Sequence, residues 1–172
     1  MTNSTFLALF CTFVVTFITG CQPNPPYEPM CRATHTSITH DGDFGACVIR
    51  VKHQLLALQN EQSFQLSVAQ KRSTESLACA AHRGIWETMG INLEVGEPLR
   101  YDPINNVQLF DCHLMESTLP NTVPYATPNW SKASSHSIVL IDPYTLDDKQ
   151  WGTHVSPLLL RDSFNVATDN PR

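Results

Sequence analysis

The first twenty residues of this chain carry no charged side chain. The apolar run within them, residues 6–18, is shorter than the roughly 18 residues a membrane-spanning helix needs. Other absences narrow the chemistry. There is no C-x2-C pair, no H-x-H and no H-E-x-x-H, which argues against a structural or catalytic zinc site. There is no G-x-S-x-G elbow, no phosphate-binding G-x-x-x-x-G-K-[ST] loop and no G-x-G-x-x-G turn. Basic residues are scarce, with 11 Lys and Arg against 16 Asp and Glu. An acidic body without a basic stripe argues against nucleic-acid binding and against electrostatic docking on anionic lipid.

What is present at the N-terminus reads as an export signal over residues 1–20. Ile18-Thr19-Gly20-Cys21 resembles a bacterial lipobox, so Cys21 is expected to be the lipidated residue after cleavage. The alternatives are a plain secretory signal or an uncleaved anchor. Residues 21–44 follow as a proline-rich tether and N-terminal segment, with Pro23, Pro25, Pro26 and Pro29 favouring an extended spacer. The body is expected over residues 45–167, enough for one domain with a real core, and residues 168–172 are expected to fray. The expected location is outside the cytoplasm, held to a membrane by lipid. Four further cysteines, Cys31, Cys47, Cys79 and Cys112, suggest two disulfides in an exported protein. Four cysteines allow three pairings; Cys31–Cys47 with Cys79–Cys112 is the expectation tested below, and four free thiols are the alternative.

Hydrophobic periodicity supplies the elements. Residues 45–51 and 55–58 read as strands, and residues 64–68 alternate as a half-buried strand. Residues 76–89 predict a helix, because Leu77, Ala80, Ala81, Ile85 and Met89 recur at spacings of three and four. Ser73 or Thr74 is the expected N-cap and Gly90 the left-handed C-cap. A strand over 91–95 is expected to stop at Gly96-Glu97-Pro98. Residues 107–114 and 137–141 predict two more strands, residues 156–166 a final helix, and residues 115–137 a long irregular loop. Strands on both sides of a helix suit an α+β or α/β/α sandwich.

Residues 69–91 carry a recognisable pattern. Glu75, Arg83, Ile85, Glu87, Gly90 and Ile91 match six of the nine fixed positions of G-x5-E-x7-R-E-U-x-E-E-x-G-U, where U is a bulky aliphatic residue. Phe64-Gln65-Leu66-Ser67-Val68-Ala69 before it and Ile141-Asp142-Pro143-Tyr144-Thr145-Leu146 after it stand where relatives carry further signatures. On these residues the chain resembles the Nudix hydrolase superfamily over residues 45–164. The resemblance implies an α+β fold of the Nudix α/β/α sandwich type with a mixed sheet. It also implies metal-dependent cleavage of a diphosphate linkage in nucleoside diphosphate derivatives. In that chemistry glutamates on one helix face hold Mg²⁺ or Mn²⁺, which neutralises the diphosphate and activates a water.

Three positions depart from the pattern. Ala69 replaces the leading glycine, Gly84 the first helix glutamate and Thr88 the last. Glu87 is the remaining candidate catalytic residue, and Glu75 and Glu87 are the remaining candidate metal ligands. Glu75, Arg83 and Gly90 are expected to keep the motif's shape, with Arg83 reaching both Glu75 and Glu87. Asp102, Asp111, Glu116 and Asp142 are further acids from which a ligand could come, or solvated loop and strand-end acids. Trp86 is expected in the core, and Trp130 is open. Two readings follow: a Nudix-type hydrolase whose activity is weak or lost, using Mg or Mn if active, or a non-catalytic Nudix-fold binding module of the cell envelope. A nucleoside diphosphate-type small molecule is the expected partner.

Overall fold

The computed structural model describes residues 24–34, 42–61, 63–115, 119, 123–152 and 154–170. The expected leader, Cys21 and Glu116 lie outside the described residues.

Alternation along the early strands sends side chains to two opposite cores. Strand β1 (Phe44–Val48) continues across Ile49 into β2 (Arg50–Val51), which pairs antiparallel with β3 (Gln54–Asn60). The single strand expected over residues 45–51 is broken at Ile49, where the chain passes from one sheet to another. Short strands β4 (Ser63–Gln65) and β5 (Val68–Gln70) lead into helix α1 (Leu77–Met89). Then come β6 (Leu93–Asp102), β7 (Val107–Leu114), β8 (Tyr125–Ala126), β9 (Ser137–Ile141), helix α2 (Pro157–Val166) and β10 (Asp169–Asn170). One sheet has the order β5-β1-β7-β6, with β1 and β7 parallel. The other runs β10-β2-β3-β9-β8, with β4 beside β3.

Cys47, Leu56, Leu58, Phe110 and Ile138 face α1, packing on Leu77, Ala78, Ala81, Ile85 and Met89. Ala46, Val48, Leu55 and Leu109 face the other way, against Leu160 and Phe164 of α2 and Trp151. The result is an α/β/α sandwich of mixed strands, as expected. Gly45 lets α1 lie close on β1: a Cβ there would collide with the Leu77 carbonyl oxygen.

Further expectations are corrected. The N-cap is Ser76, whose hydroxyl accepts from Cys79 N at 3.1 Å, rather than Ser73 or Thr74. Strand β6 runs through Gly96-Glu97-Pro98. Its register shifts on both sides of Pro98, and an edge strand tolerates such bulges and a missing N–H. Residues 168–170 do not fray, since β10 pairs with β2 and Asn170 is buried, bonding Leu114 N and Arg50 O.

The disulfides are Cys31–Cys79 and Cys47–Cys112, not Cys31–Cys47 and Cys79–Cys112. Cys47 and Cys112 lie on neighbouring strands beneath α1, both essentially inaccessible. Cys79 sits off the helix's buried stripe and meets the N-terminal segment. That segment runs beside β6, with Thr34 N donating to Val95 O and Val95 N to Arg32 O.

Candidate functional site

The motif residues gather where β5 enters α1. The connection after Gln70 turns at Arg72, and Glu75 Oε2 accepts from Arg72 N at 3.0 Å. Arg83 lies one face across, its side chain only 6% exposed. Its Nε donates to Glu75 Oε1 at 2.9 Å, and its Nη2 reaches Glu75 Oε2 at 2.8 Å and the Gln70 carbonyl at 2.6 Å. This fork ties loop to helix. Four residues on, Glu87 Oε2 accepts from Arg83 Nη1 at 3.1 Å.

Two more cations complete the cluster. Lys132 Nζ lies 2.7 Å from Glu87 Oε2, and Arg72 Nη2 lies 3.3 Å from Glu87 Oε1. Arg72 Nη1 also pairs with Glu28 at 3.3 Å, bringing the N-terminal segment to the site. Burial pushes the Glu75 carboxyl up, but the Arg83 guanidinium and the Arg72 N–H outweigh it and hold Glu75 below its usual value. The Glu75 carboxylate in turn raises Arg83.

Loop 127–136 docks on the end of α1 and supplies Lys132. A helix leaves its last carbonyls without internal partners. Here Lys132 N donates to Glu87 O and Ser131 Oγ to Thr88 O, both at 2.8 Å. Gly90, at φ 70°, caps the helix, and a Cβ on it would lie 2.7 Å from Pro128 Cγ and 3.3 Å from Trp130. Gly90 thus ends the helix and also lets the loop seat Trp130 on Trp86, with ring centroids 5.2 Å apart. Trp86 is half-buried rather than in the core, because it shares this face. A groove of about 360 Å³ opens there, between residues 25–28 on one side and Trp86, Trp130 and Lys132 on the other, with Glu87 at its edge.

The departures from the motif have physical partners. The Thr88 hydroxyl sits 2.7 Å from Gly84 O and 2.9 Å from Ser67 Oγ. A Cβ on Gly84 would meet Ala69 Cβ at 3.0 Å and Ser67 Oγ at 3.1 Å, so any side chain there would crowd β5 and the residue before it.

A divalent metal does not fit this donor set. Mg²⁺ wants several hard oxygens in octahedral array. Glycine and threonine provide no carboxylate, and all four oxygens of Glu75 and Glu87 already accept from Arg or Lys side chains. Among the described residues no group of three His, Cys, Asp or Glu side chains could hold a metal ion.

Asp102, Asp111 and Asp142 lie apart from the cluster. Asp102 is fully buried, accepting from Ile104 N, Asn105 and Ser156 N. Burial alone would raise it, but those hydrogen bonds, Asn105's first, hold it low. Asp111 is buried and accepts from Thr168 N and Oγ1, which fastens the chain after α2 to β7. Asp142 accepts from Tyr144 N in a turn. Asp102 and Asp111 are therefore structural anchors rather than solvated acids. Sequence reasoning missed Arg72, Lys132 and Glu28. Lys132 is 45 positions from Glu87, and its only trace in the sequence is the length of the loop that carries it.

These pairings make stability depend on pH in a defined direction. Glu75 and Asp102 are depressed in the folded state, so their contribution is complete above their ordinary values of 4.5 and 3.8 and is lost as pH falls through the depressed ones. Burial also lowers His82, though Asn92 hydrogen-bonds it, so its contribution is present above 6.5 and declines below. Denaturant midpoints of the oxidised chain should fall slightly from pH 7 to 5 and steeply from pH 4.5 to 3. In Glu75→Gln the steep phase should shrink. A midpoint constant from pH 7 to 3 contradicts this assignment.

The sandwich and its loop-helix-loop define a fold class: that of the Nudix hydrolase structures. A crystal structure of an ADP-ribose pyrophosphatase from Streptococcus suis superposes with TM-score 0.52 at 12% identity, covering 75% of this chain and 97% of the other. A Nudix hydrolase from Nitrosomonas europaea gives 0.53 at 13%, covering 79% and 82%, and a UDP-X diphosphatase gives 0.52 at 12%, covering 79% and 69%. At these identities the likeness is one of fold. No protein-family model and no curated protein matches the chain.

Proposed function

We propose that this protein is a Nudix-fold binding module for a nucleoside diphosphate-type small molecule, with the family's metal-dependent hydrolysis weak or lost. One observation carries the reading. The carboxylates kept from the motif, Glu75 and Glu87, have every oxygen engaged by Arg83, Arg72 or Lys132. A carboxylate committed to internal cations must shed them before it can ligate Mg²⁺ or Mn²⁺. The positions that would add ligands hold Gly84 and Thr88. What remains is a shaped groove beside two tryptophans, within the size range of small-molecule sites. The partner class is taken from the fold's relatives and from the groove's aromatic and charged walls.

The two disulfides suit an oxidising compartment, which supports export; lipid anchoring through Cys21 is the further part of the proposal and rests on the sequence Ile18-Thr19-Gly20-Cys21 alone. Incubating the protein with ADP-ribose and UDP-linked sugars in Mg²⁺ or Mn²⁺ tests the central claim. Product should stay at background while calorimetry detects binding. Turnover that Glu87→Gln abolishes would show a working hydrolase and sink the binding-module reading.

A further inference from the structure

We infer that Lys132 and Arg72 form a metal-free anion clamp at the lip of the Trp86–Trp130 groove, holding the phosphate end of a planar-ring ligand without a divalent cation. This rests on the binding reading above and adds how the anion is held.

The charge balance differs from that of a metal site. A site of clustered carboxylates repels a phosphate until a metal neutralises it. Here Glu28, Glu75 and Glu87 are matched by Arg72, Arg83 and Lys132, so the cluster is neutral as it stands. The cations also divide by depth. Arg83 is buried and spends its donors on Glu75, Glu87 and Gln70 O, which makes it part of the frame. Lys132 and Arg72 have side chains 68% and 57% exposed. Among the described residues the Lys132 ammonium donates only to Glu87, which leaves two of its three N–H groups for a ligand. The Arg72 guanidinium bonds one oxygen of Glu87 and one of Glu28 and keeps donors in its fork.

Glu87 acquires a new role here. It holds both cations at one point on the groove's edge, so they are placed before any ligand arrives. The tilted Trp86–Trp130 pair beside them offers a face for a ring, and stacking on such a face tolerates different bases. Glu28 competes with the ligand, since it occupies Arg72 from the opposite wall of the groove. Removing that carboxylate should strengthen binding.

Tryptophan fluorescence titration of the full oxidised chain tests the clamp, with ADP and UDP as probes and adenosine and inorganic pyrophosphate as the separate halves. Nucleotide affinity should agree within about twofold in EDTA and in Mg²⁺. Lys132→Met and Arg72→Gln should each weaken ADP about tenfold, the size of one hydrogen bond to a charged group, and leave adenosine unchanged. Trp130→Leu should weaken ADP and adenosine alike. Glu28→Gln should tighten ADP about two- to fivefold, the range of an exposed ion pair. Both cations are exposed, so these variants should fold, and their circular dichroism melts check it. ADP binding that EDTA weakens tenfold or more overturns the clamp and leaves nucleotide recognition standing. So does ADP affinity unmoved in both Lys132→Met and Arg72→Gln. Failure of every probe to bind at millimolar concentration, with and without Mg²⁺, overturns the clamp and the binding reading together.

Discussion

Replacing Arg83 with methionine should cost about 3–5 kcal/mol of folding free energy, the usual loss when one partner of a buried ion pair is removed. Methionine keeps much of the side chain's volume and none of its charge. It leaves the Glu75 carboxylate, whose side chain is 11% exposed, without its cation and with only the Arg72 N–H, and it removes the donor that reaches the Gln70 carbonyl at 2.6 Å. Glu87 fares better, since Arg72 and Lys132 remain. Against a total stability of roughly 5–15 kcal/mol for a small domain, this is a large fraction. Urea unfolding of the oxidised chain reads the loss. Adding Glu75→Gln to Arg83→Met should recover part of it, because the stranded charge disappears, whereas Glu87→Gln alone should cost under about 1 kcal/mol as a more exposed pair. Should Arg83→Met lie within about 1 kcal/mol of the parent, the fork is ornamental and the loop-helix-loop is held by something else.

That fork could be read from the sequence because its spacing is local. Glu75 and Arg83 stand eight positions apart across a single helix start, and Arg83 and Glu87 share a helix face at i and i+4. The core stripe of α1, the Gly90 cap and strands β7 and β9 were legible for the same reason: each is a period or a turn signal within a short window. What escaped depends on strand order. Cys47 reaches Cys112 because β1 and β7 are parallel neighbours, a pairing between residues 65 positions apart. Cys79 leaves the buried stripe and can meet Cys31 only because the N-terminal segment runs beside β6. Lys132 reaches Glu87 because the end of α1 needs donors and loop 127–136 brings them. Asp102 and Asp111 looked like solvated acids, since nothing near them in sequence announces Ser156 and Thr168 as their partners.

The same long-range packing decides whether glutamates can be accommodated at positions 84 and 88. Gly84→Glu with Thr88→Glu restores the motif's letters, and the double variant should still lose about 4 kcal/mol and bind no Mg²⁺ at millimolar concentration. Even the first carbon of a side chain at position 84 meets Ala69 Cβ at 3.0 Å and Ser67 Oγ at 3.1 Å. Overfilling such a site costs roughly 1–3 kcal/mol, and burying a carboxylate without a partner adds more. Thr88→Glu also removes the hydroxyl that lies between Gly84 O and Ser67 Oγ. The obstruction lies in β5 and the residue before it as much as in the helix. Adding Ser67→Gly and Ala69→Gly to the double variant should therefore recover stability, since both clashing side chains vanish. In that fourfold variant three carboxylates would share the helix face, with Glu87 still held by Lys132 and Arg72. Calorimetry with Mg²⁺ and urea midpoints across the series decide the matter. A double variant that is as stable as the parent and binds Mg²⁺ would mean that Gly84 and Thr88 alone keep a metal out, with no obstruction from the surrounding strand.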